Sequence, residues 1–291
     1  MNTAQQTNGK VAIVTGASSG IGRGKYDIYD EMNFFIYMFR YINNISENYL
    51  AIAIRLVKEG AKVVIADVSE DAGKMLANEL NTNKSEKIAI FHKTDVSKWK
   101  ELISLFDKTK ETFGKIDVGL DKIVINNAGI VGQLYGMLDD SLEGTKLAFQ
   151  YMKQNDPQGG VVINTSSVAA FHPTFNVAVY AAAKAGVVNL TRSMAQISQL
   201  FGITVNAVCP SVTESGLTSH SIGILPENWW SSVNFVVDAC FKCIYDPKTN
   251  GTIFTVWYEG IKEESFENYH PVFQAMLQGQ RQSYLKSLEN K

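Results

Sequence analysis

The chain has 291 residues, room for one large domain or two small ones, with 45% hydrophobic and 19% charged residues. That balance belongs to a globular protein with a sizeable core. The formal net charge of -2 gives no reason to expect nucleic acid or an anionic membrane surface as a partner.

Taken in chain order, strand-like and helix-like patterns alternate. Residues 1–10 are polar and read as no secretory leader, so a cytoplasmic location is expected. Residues 11–14 form the first strand. It runs into a turn with Gly16, Ser18, Ser19, Gly20, Ile21 and Gly22. Glycines let such a turn bend sharply and approach a ligand. A helix starting there would offer its unpaired N–H groups to a pyrophosphate. The apolar run at 34–42 has nine residues and contains Arg40; a membrane span needs about 20.

A helix is predicted over 51–58, stopped by Gly60, and a β-branched strand over 62–66, ending at Asp67. Further helices are predicted over 71–80, 98–113 and 179–200. Further strands are predicted over 88–91, 123–125, 161–164, 203–208 and 252–256. Alternating β and α units with near-continuous apolar strands predict a parallel sheet covered by helices on both faces. No repeat or linker divides the chain, so a single domain over 1–291 is expected. The three cysteines, Cys209, Cys240 and Cys243, read as reduced core residues. Cys240 and Cys243 form a lone pair with no second pair or nearby histidine, so no metal is expected.

Two positions carry chemistry beyond the glycine turn. An acidic residue closing the second strand hydrogen-bonds the adenosine ribose in a dinucleotide site. Asp67 stands there, and its charge would repel a ribose phosphate, which favours NAD over NADP. Tyr180 and Lys184 are four apart and share one helix face. A lysine ammonium beside a phenol favours the phenolate and is expected to lower a pKa of about 10. The tyrosine could then exchange a proton with an alcohol or ketone oxygen. Ser167, thirteen residues earlier, follows the fifth strand and could hold the same oxygen.

Thr15–Gly22, Asn126-Asn-Ala-Gly129, Ser167 and Tyr180 with Lys184 together resemble the short-chain dehydrogenase/reductase family, in the family's order, over about residues 10–251. The nearest likeness is to its NAD-dependent 15-hydroxyprostaglandin dehydrogenase branch, supported by the segments at 250–253 and 271–274. The resemblance implies a Rossmann fold, a doubly wound parallel sheet of about seven strands. It implies hydride transfer between NAD and a secondary alcohol or ketone, with Tyr180 as general acid/base. Lys184 would assist the tyrosine and bind the nicotinamide ribose, and Ser167 would position the substrate oxygen. Val68 accompanies Asp67, Asp95 and Val96 match the adenine-contacting pair, and Asn127, Ala128 and Gly129 match the wall beside the cofactor. Pro210, Thr213 and Ser215 match the loop over the nicotinamide, with Ser211 in place of the usual glycine. A homodimer or homotetramer is implied by resemblance alone.

The chain departs from the family in three places. Asp67 lies 45 residues beyond Gly22, where about 20 are expected. Removing 27 residues, about 24–50, reduces the gap to 18. That excess reads as a translated intron: Gly24-Lys25-Tyr26 can be encoded with a GTAAGT splice donor, and Tyr49-Leu50-Ala51 can hold an acceptor. The alternative is a genuine loop. Loop closure alone would cost about 3 kcal/mol; the larger expected harm is a first helix broken after about one turn, with weakened NAD binding. The relay asparagine of many members falls on Met137, and Asp139 or Asp140 is a weak substitute. The substrate lid, about 216–234, is short and carries Trp229 and Trp230, either as a pocket lining or as core. Val177 replaces a polar residue used by the prostaglandin enzymes, so their specificity does not carry over. A smaller insertion is read at 119–122. These departures leave a second reading, a degenerate or misassembled relative that binds NAD weakly or not at all and lacks efficient catalysis.

Overall fold

The computed structural model describes residues 9–16, 47–113, 122–126, 134–156, 158–173, 177–213, 223–266 and 271–289. Its strands are β1 Val11–Thr15, β2 Lys62–Asp67, β3 Ala89–Lys93, β4 Lys122–Asn126, β5 Gly160–Thr165, β6 Ile203–Pro210, β7 Val212–Thr213, β8 Trp230–Ser231, β9 Ile253–Trp257 and β10 Gly260–Glu263. Its α-helices are α1 Glu47–Lys58, α2 Glu70–Leu80, α3 Trp99–Phe113, α4 Leu134–Met152, α5 Ala178–Ser198, α6 Val233–Tyr245 and α7 Pro271–Glu289.

Eight strands form one sheet in the order β10-β9-β6-β5-β4-β1-β2-β3, while β7 and β8 pair separately. All neighbours in the main sheet are parallel except β10, which runs antiparallel to β9. The seven parallel strands match the expected number; β10 adds an edge that the sequence pattern did not announce. The chain builds outward one way through β1, β2 and β3, then reverses to β4, β5 and β6. In such sheets ligands bind outside the carboxyl ends of the strands at the reversal, here between β1 and β4.

The near-continuous apolar runs are explained by burial on both faces. Ala12 and Val14 of β1 pack with Val63, Ile65, Val161 and Ile163 under α1, α2 and α6. Ile13, Val64, Ala66 and Val162 pack on the opposite face under α3 and α4. Cys209 packs with Val188 of α5 on β6 and β9. All three cysteines are free and buried, and Cys240 and Cys243 lie on the buried face of α6.

Helix α1 starts at Glu47, four residues before the predicted start. Its first turn is therefore drawn from the excess segment, and residues 24–46 lie outside the described ones. Ile52 and Leu56 are fully buried. The helix ends at Lys58 and is stopped by Gly60, whose φ of 88° suits glycine and whose N–H donates to the Val57 carbonyl at 3.1 Å. Arg55 ties α1 to α6: its guanidinium lies 3.9 Å from the Phe241 ring centroid and donates to Asp238 at 2.7 Å. Among the described residues no helix is long and apolar enough to cross a membrane.

Candidate active site

Two clusters form at the carboxyl ends of the strands. The first surrounds the end of β1. Gly16 takes a φ of 70° and donates its N–H to the Ala66 carbonyl at 2.8 Å. The chain thus turns beside the last residue of β2, Asp67, which is only 3% exposed. One Asp67 carboxylate oxygen accepts the Ser69 N–H at 3.0 Å, and the Asp67 carbonyl accepts the Thr94 N–H at 3.0 Å. Asp95 follows directly. Its Oδ1 accepts from the Ser97 hydroxyl at 2.6 Å and the Ser97 N–H at 3.1 Å, and its Oδ2 lies 3.2 Å from Lys98. The Ser97 hydroxyl, more than any other influence, holds this carboxyl below the usual range. Val96 is half-buried against the core, and Val68 is exposed.

The second cluster joins the ends of β5 and β6 to α5. Ser167 follows β5 in extended backbone and caps the 3-10 turn at Val168–Ala170; its Oγ accepts the Ala169 N–H at 3.2 Å. The same Oγ donates to the Pro210 carbonyl at 3.3 Å. Lys184 is buried in α5, and its ammonium donates to the Thr165 carbonyl at 2.9 Å. The Ser166 hydroxyl donates back to the Lys184 carbonyl at 2.8 Å. The α5 backbone and the last residues of β5 are therefore locked together from both sides. The Lys184 ammonium lies 5.8 Å from the Tyr180 ring centroid.

Tyr180 corrects one expectation. Burial is the largest influence and pushes its phenol above the ordinary tyrosine range, while a hydrogen bond with Ser167 works in the opposite direction. The lowering expected from Lys184 does not prevail in this site. Cys209, next to the same groups, is pushed up to about 12 by burial, so its sulfur stays a thiol and is no nucleophile near neutral pH.

Pro210 ends β6, and Thr213 is buried beyond it. Thr213 Oγ1 donates to the Ser211 carbonyl at 3.2 Å and shares a 2.7 Å hydrogen bond with Ser231 Oγ. Trp229 is 55% exposed, so it is no core residue. Val177 is exposed where it caps α5. Ser18, Ser19, Gly20, Ile21, Gly22, Asn127, Ala128, Gly129 and Ser215 lie outside the described residues, as do the positions of the smaller insertion before Lys122. Met137 falls within α4.

The structure also brings in residues that the motifs did not mark. Asn164, fully buried in β5, accepts from Thr145 Oγ1 of α4 at 3.1 Å and donates to Thr191 Oγ1 of α5 at 3.0 Å. A polar residue inside an apolar strand was the available signal. Thr165 and Ser166 act through main-chain contacts that no spacing rule reveals.

The described residues fit a dinucleotide. A buried carboxylate beside a glycine-only turn suits a ribose diol, and the tyrosine, serine and lysine cluster stands across the reversal point from it. A buried Ser211 hydroxyl without a partner adds one more polar group on that side.

Comparison with known proteins gives the family. The short chain dehydrogenase family matches residues 50–222. The chain is 33% identical over 219 residues to "15-hydroxyprostaglandin dehydrogenase [NAD(+)]" of Homo sapiens, covering 72% of this chain and 70% of that protein. It is 34% identical over 217 residues to the Bos taurus protein of the same name, with 72% and 70% covered. It is 33% identical over 226 residues to a "3beta-hydroxysteroid dehydrogenase" of Mediterraneibacter gnavus, with 73% and 69% covered.

Proposed function

Because the chain belongs to the short-chain dehydrogenase family, we propose that it oxidises a secondary alcohol, or reduces the matching ketone, with NAD. The observation that carries this reading is the Ser167, Tyr180 and Lys184 cluster on the β5 and α5 frame. When bound, NAD supplies the hydride acceptor or donor. Gly16 and Asp67 would hold its adenosine half, with Val68, Asp95 and Val96 around the adenine. Asp67 favours a free ribose hydroxyl over a phosphate. Pro210 and Thr213 would border the nicotinamide.

Tyr180 exchanges the proton of the substrate hydroxyl. Ser167 has a single hydroxyl hydrogen, now given to the Pro210 carbonyl. Turning that hydrogen toward the phenolate or the substrate oxygen stabilises the charge that develops there. Lys184 adds positive charge beside the tyrosine. Its bond to Thr165 holds the ammonium in place. The apolar Val177 and Val179, just before the tyrosine in sequence, are exposed and favour an apolar substrate. The names of the relatives, a prostaglandin and a steroid dehydrogenase, support a hydroxyl on a largely apolar molecule.

The start of α1 favours the second reading. Glu47–Leu50 occupy its first turn, and removing 24–50 would bring the same number of residues, 20–23, into those positions. The excess segment thus separates the glycine turn from the helix that should present N–H groups to phosphate. Titrating the purified chain with NADH, with and without residues 24–50, tests both readings. Binding with turnover of apolar secondary alcohols is expected once the segment is removed. Binding without turnover on a broad alcohol and ketone panel would support the non-catalytic relative. Sequencing the transcript addresses the intron: a dominant message that retains the segment would sink it.

A further inference from the structure

Helix α5 begins without a side-chain cap: Val177 precedes it and gives its first turn no side-chain hydrogen bond. Ala178 and Val179 in that turn are exposed. Tyr180 thus stands in a turn that does little to fix its own place, and the helix must be set further along. Tyr180, Lys184, Val187 and Thr191 recur at helical spacing and share one face, and the last three are buried. The other buried residues of α5 are Ala183, Val188, Ala195 and Ser198, all small. Such a surface fills space but holds rotation and height weakly, whereas a satisfied buried polar network specifies both.

Three consecutive residues ending β5 supply that network. The Asn164 amide donates from Nδ2 to Thr191 Oγ1 at 3.0 Å, and Thr191 gives its own hydrogen to the Val187 carbonyl at 2.9 Å. Thr165 and Ser166 hold Lys184 through its ammonium and its carbonyl. Asn164 is fully buried, and its Oδ1 accepts from Thr145 Oγ1 of α4 at 3.1 Å. Burying an amide costs free energy that an apolar strand residue would not; this one joins β5 to two helices.

Resting on the reading of Tyr180 as acid/base, we propose that Asn164 and Thr191 are positioning residues. Their bond fixes the rotation and height of α5 on β5, and so sets Tyr180 and Lys184 against Ser167. A slip of one residue along α5 moves Tyr180 by about 1.5 Å, and misplacement by about 1 Å can slow a reaction about a hundredfold. The Thr145 bond, made from α4, contributes stability and leaves α5 in register.

The test compares the full chain with Thr191→Val, which keeps the shape and loses the hydroxyl, and Thr191→Ser, which keeps the hydroxyl. Thr145→Val removes the other bond of the same amide. Melting temperature is measured with kcat and KM for an apolar secondary alcohol at saturating NAD. The Tyr180 phenol is titrated without cofactor, as the tyrosinate absorbance that Tyr180→Phe removes from each chain. Around this phenol stand Ser167 after β5, Cys209 of β6 and Lys184 of its own helix.

Thr191→Val should lower kcat about tenfold or more with KM within about twofold. It should also move the titration alkaline by about half a unit, because the Ser167 bond that lowers it loosens. Thr191→Ser should recover most of both. Thr145→Val should melt as low as Thr191→Val yet leave kcat and the titration nearly unchanged. Equal changes in the two valine variants would overturn the inference by showing general loosening. An unmoved titration in Thr191→Val, or no rescue by serine, would overturn it as well. If the unaltered chain turned over no alcohol, or Tyr180→Phe kept full turnover, the acid/base reading would fall. The titration would then still decide whether Thr191 sets the tyrosine.

Discussion

The Ser167 hydroxyl donates to the Pro210 carbonyl oxygen at 3.3 Å, joining the end of β5 to the end of β6 across 43 residues of sequence. It leaves Ser167 with one hydrogen to share between a structural acceptor and the chemistry at Tyr180. The phenol is already pushed above its ordinary range by burial, and Ser167 is the group that lowers it. Alcohol oxidation needs the phenolate, so its rate should rise with pH through the neutral range, without levelling off before the alkaline region. Ketone reduction needs the protonated phenol and should stay flat over the same interval. Ser167→Ala should displace the oxidation profile further toward alkaline pH and cut turnover about a hundredfold or more. Rate profiles in both directions check this, and an unmoved profile in Ser167→Ala would contradict it.

Asp67 should decide which dinucleotide is accepted. Asp67→Ser removes the negative charge that the proposed function sets beside the adenosine ribose, and NADH affinity is expected to fall about tenfold while NADPH gains relative to it. The Ser69 N–H loses its acceptor at 3.0 Å, so a lower melting temperature is also expected. Fluorescence titration with the two reduced cofactors gives the ratio.

Asn250 supports the sheet rather than the chemistry. Its Oδ1 accepts from the Val205 N–H at 3.0 Å and from Ser198 Oγ at 3.4 Å, and its Nδ2 donates to the Ala195 carbonyl at 2.9 Å. One side chain thereby joins α5, β6 and the approach to β9. Asn250→Ala leaves these groups unpaired and should cost about 2–3 kcal/mol, read from the urea midpoint. Cofactor affinity of the folded fraction should hold.

His92 should give stability a pH dependence. Burial lowers its pKa below the ordinary value; Glu101 opposes this and Lys108 adds to it. Its ring nitrogens pair with Thr94 Oγ1 at 2.8 Å and Ser104 Oγ at 3.1 Å. The unfolded chain takes up the proton more readily than the folded one. The His92 contribution is therefore fully present above the ordinary histidine pKa of about 6.5. It is lost as pH falls through the lower folded value. His92→Gln should flatten the decline in unfolding free energy between about pH 7 and pH 5. An unchanged slope would assign the decline to other groups.

Much of the sheet was legible because strands buried on both faces produce apolar runs such as Lys62–Asp67 and Gly160–Thr165. Gly60 marked the end of α1 because a left-handed residue stops a helix. The start of α1 was misread because Glu47–Leu50 carry no apolar period of their own, yet they extend a helix anchored by Ile52 and Leu56. The edge strand β10 escaped because its residues are half-buried or exposed and its pairing depends on β9. Trp229 is exposed rather than core, a choice that composition alone left open.

The sequence by itself determined the family, the alternating architecture and the order of Gly16, Asp67, Ser167, Tyr180 and Lys184. These follow from local periodicity, turn residues and spacing along one helix. Tertiary structure alone decided the partners: Lys184 on the Thr165 carbonyl, Ser166 on the Lys184 carbonyl, Ser167 on Pro210, and Ser211 without one. It also decided that burial raises the Tyr180 phenol above its ordinary range while Ser167 lowers it. Such contacts join segments distant in sequence, and desolvation depends on everything packed around a group, so neither leaves a periodic trace in the chain.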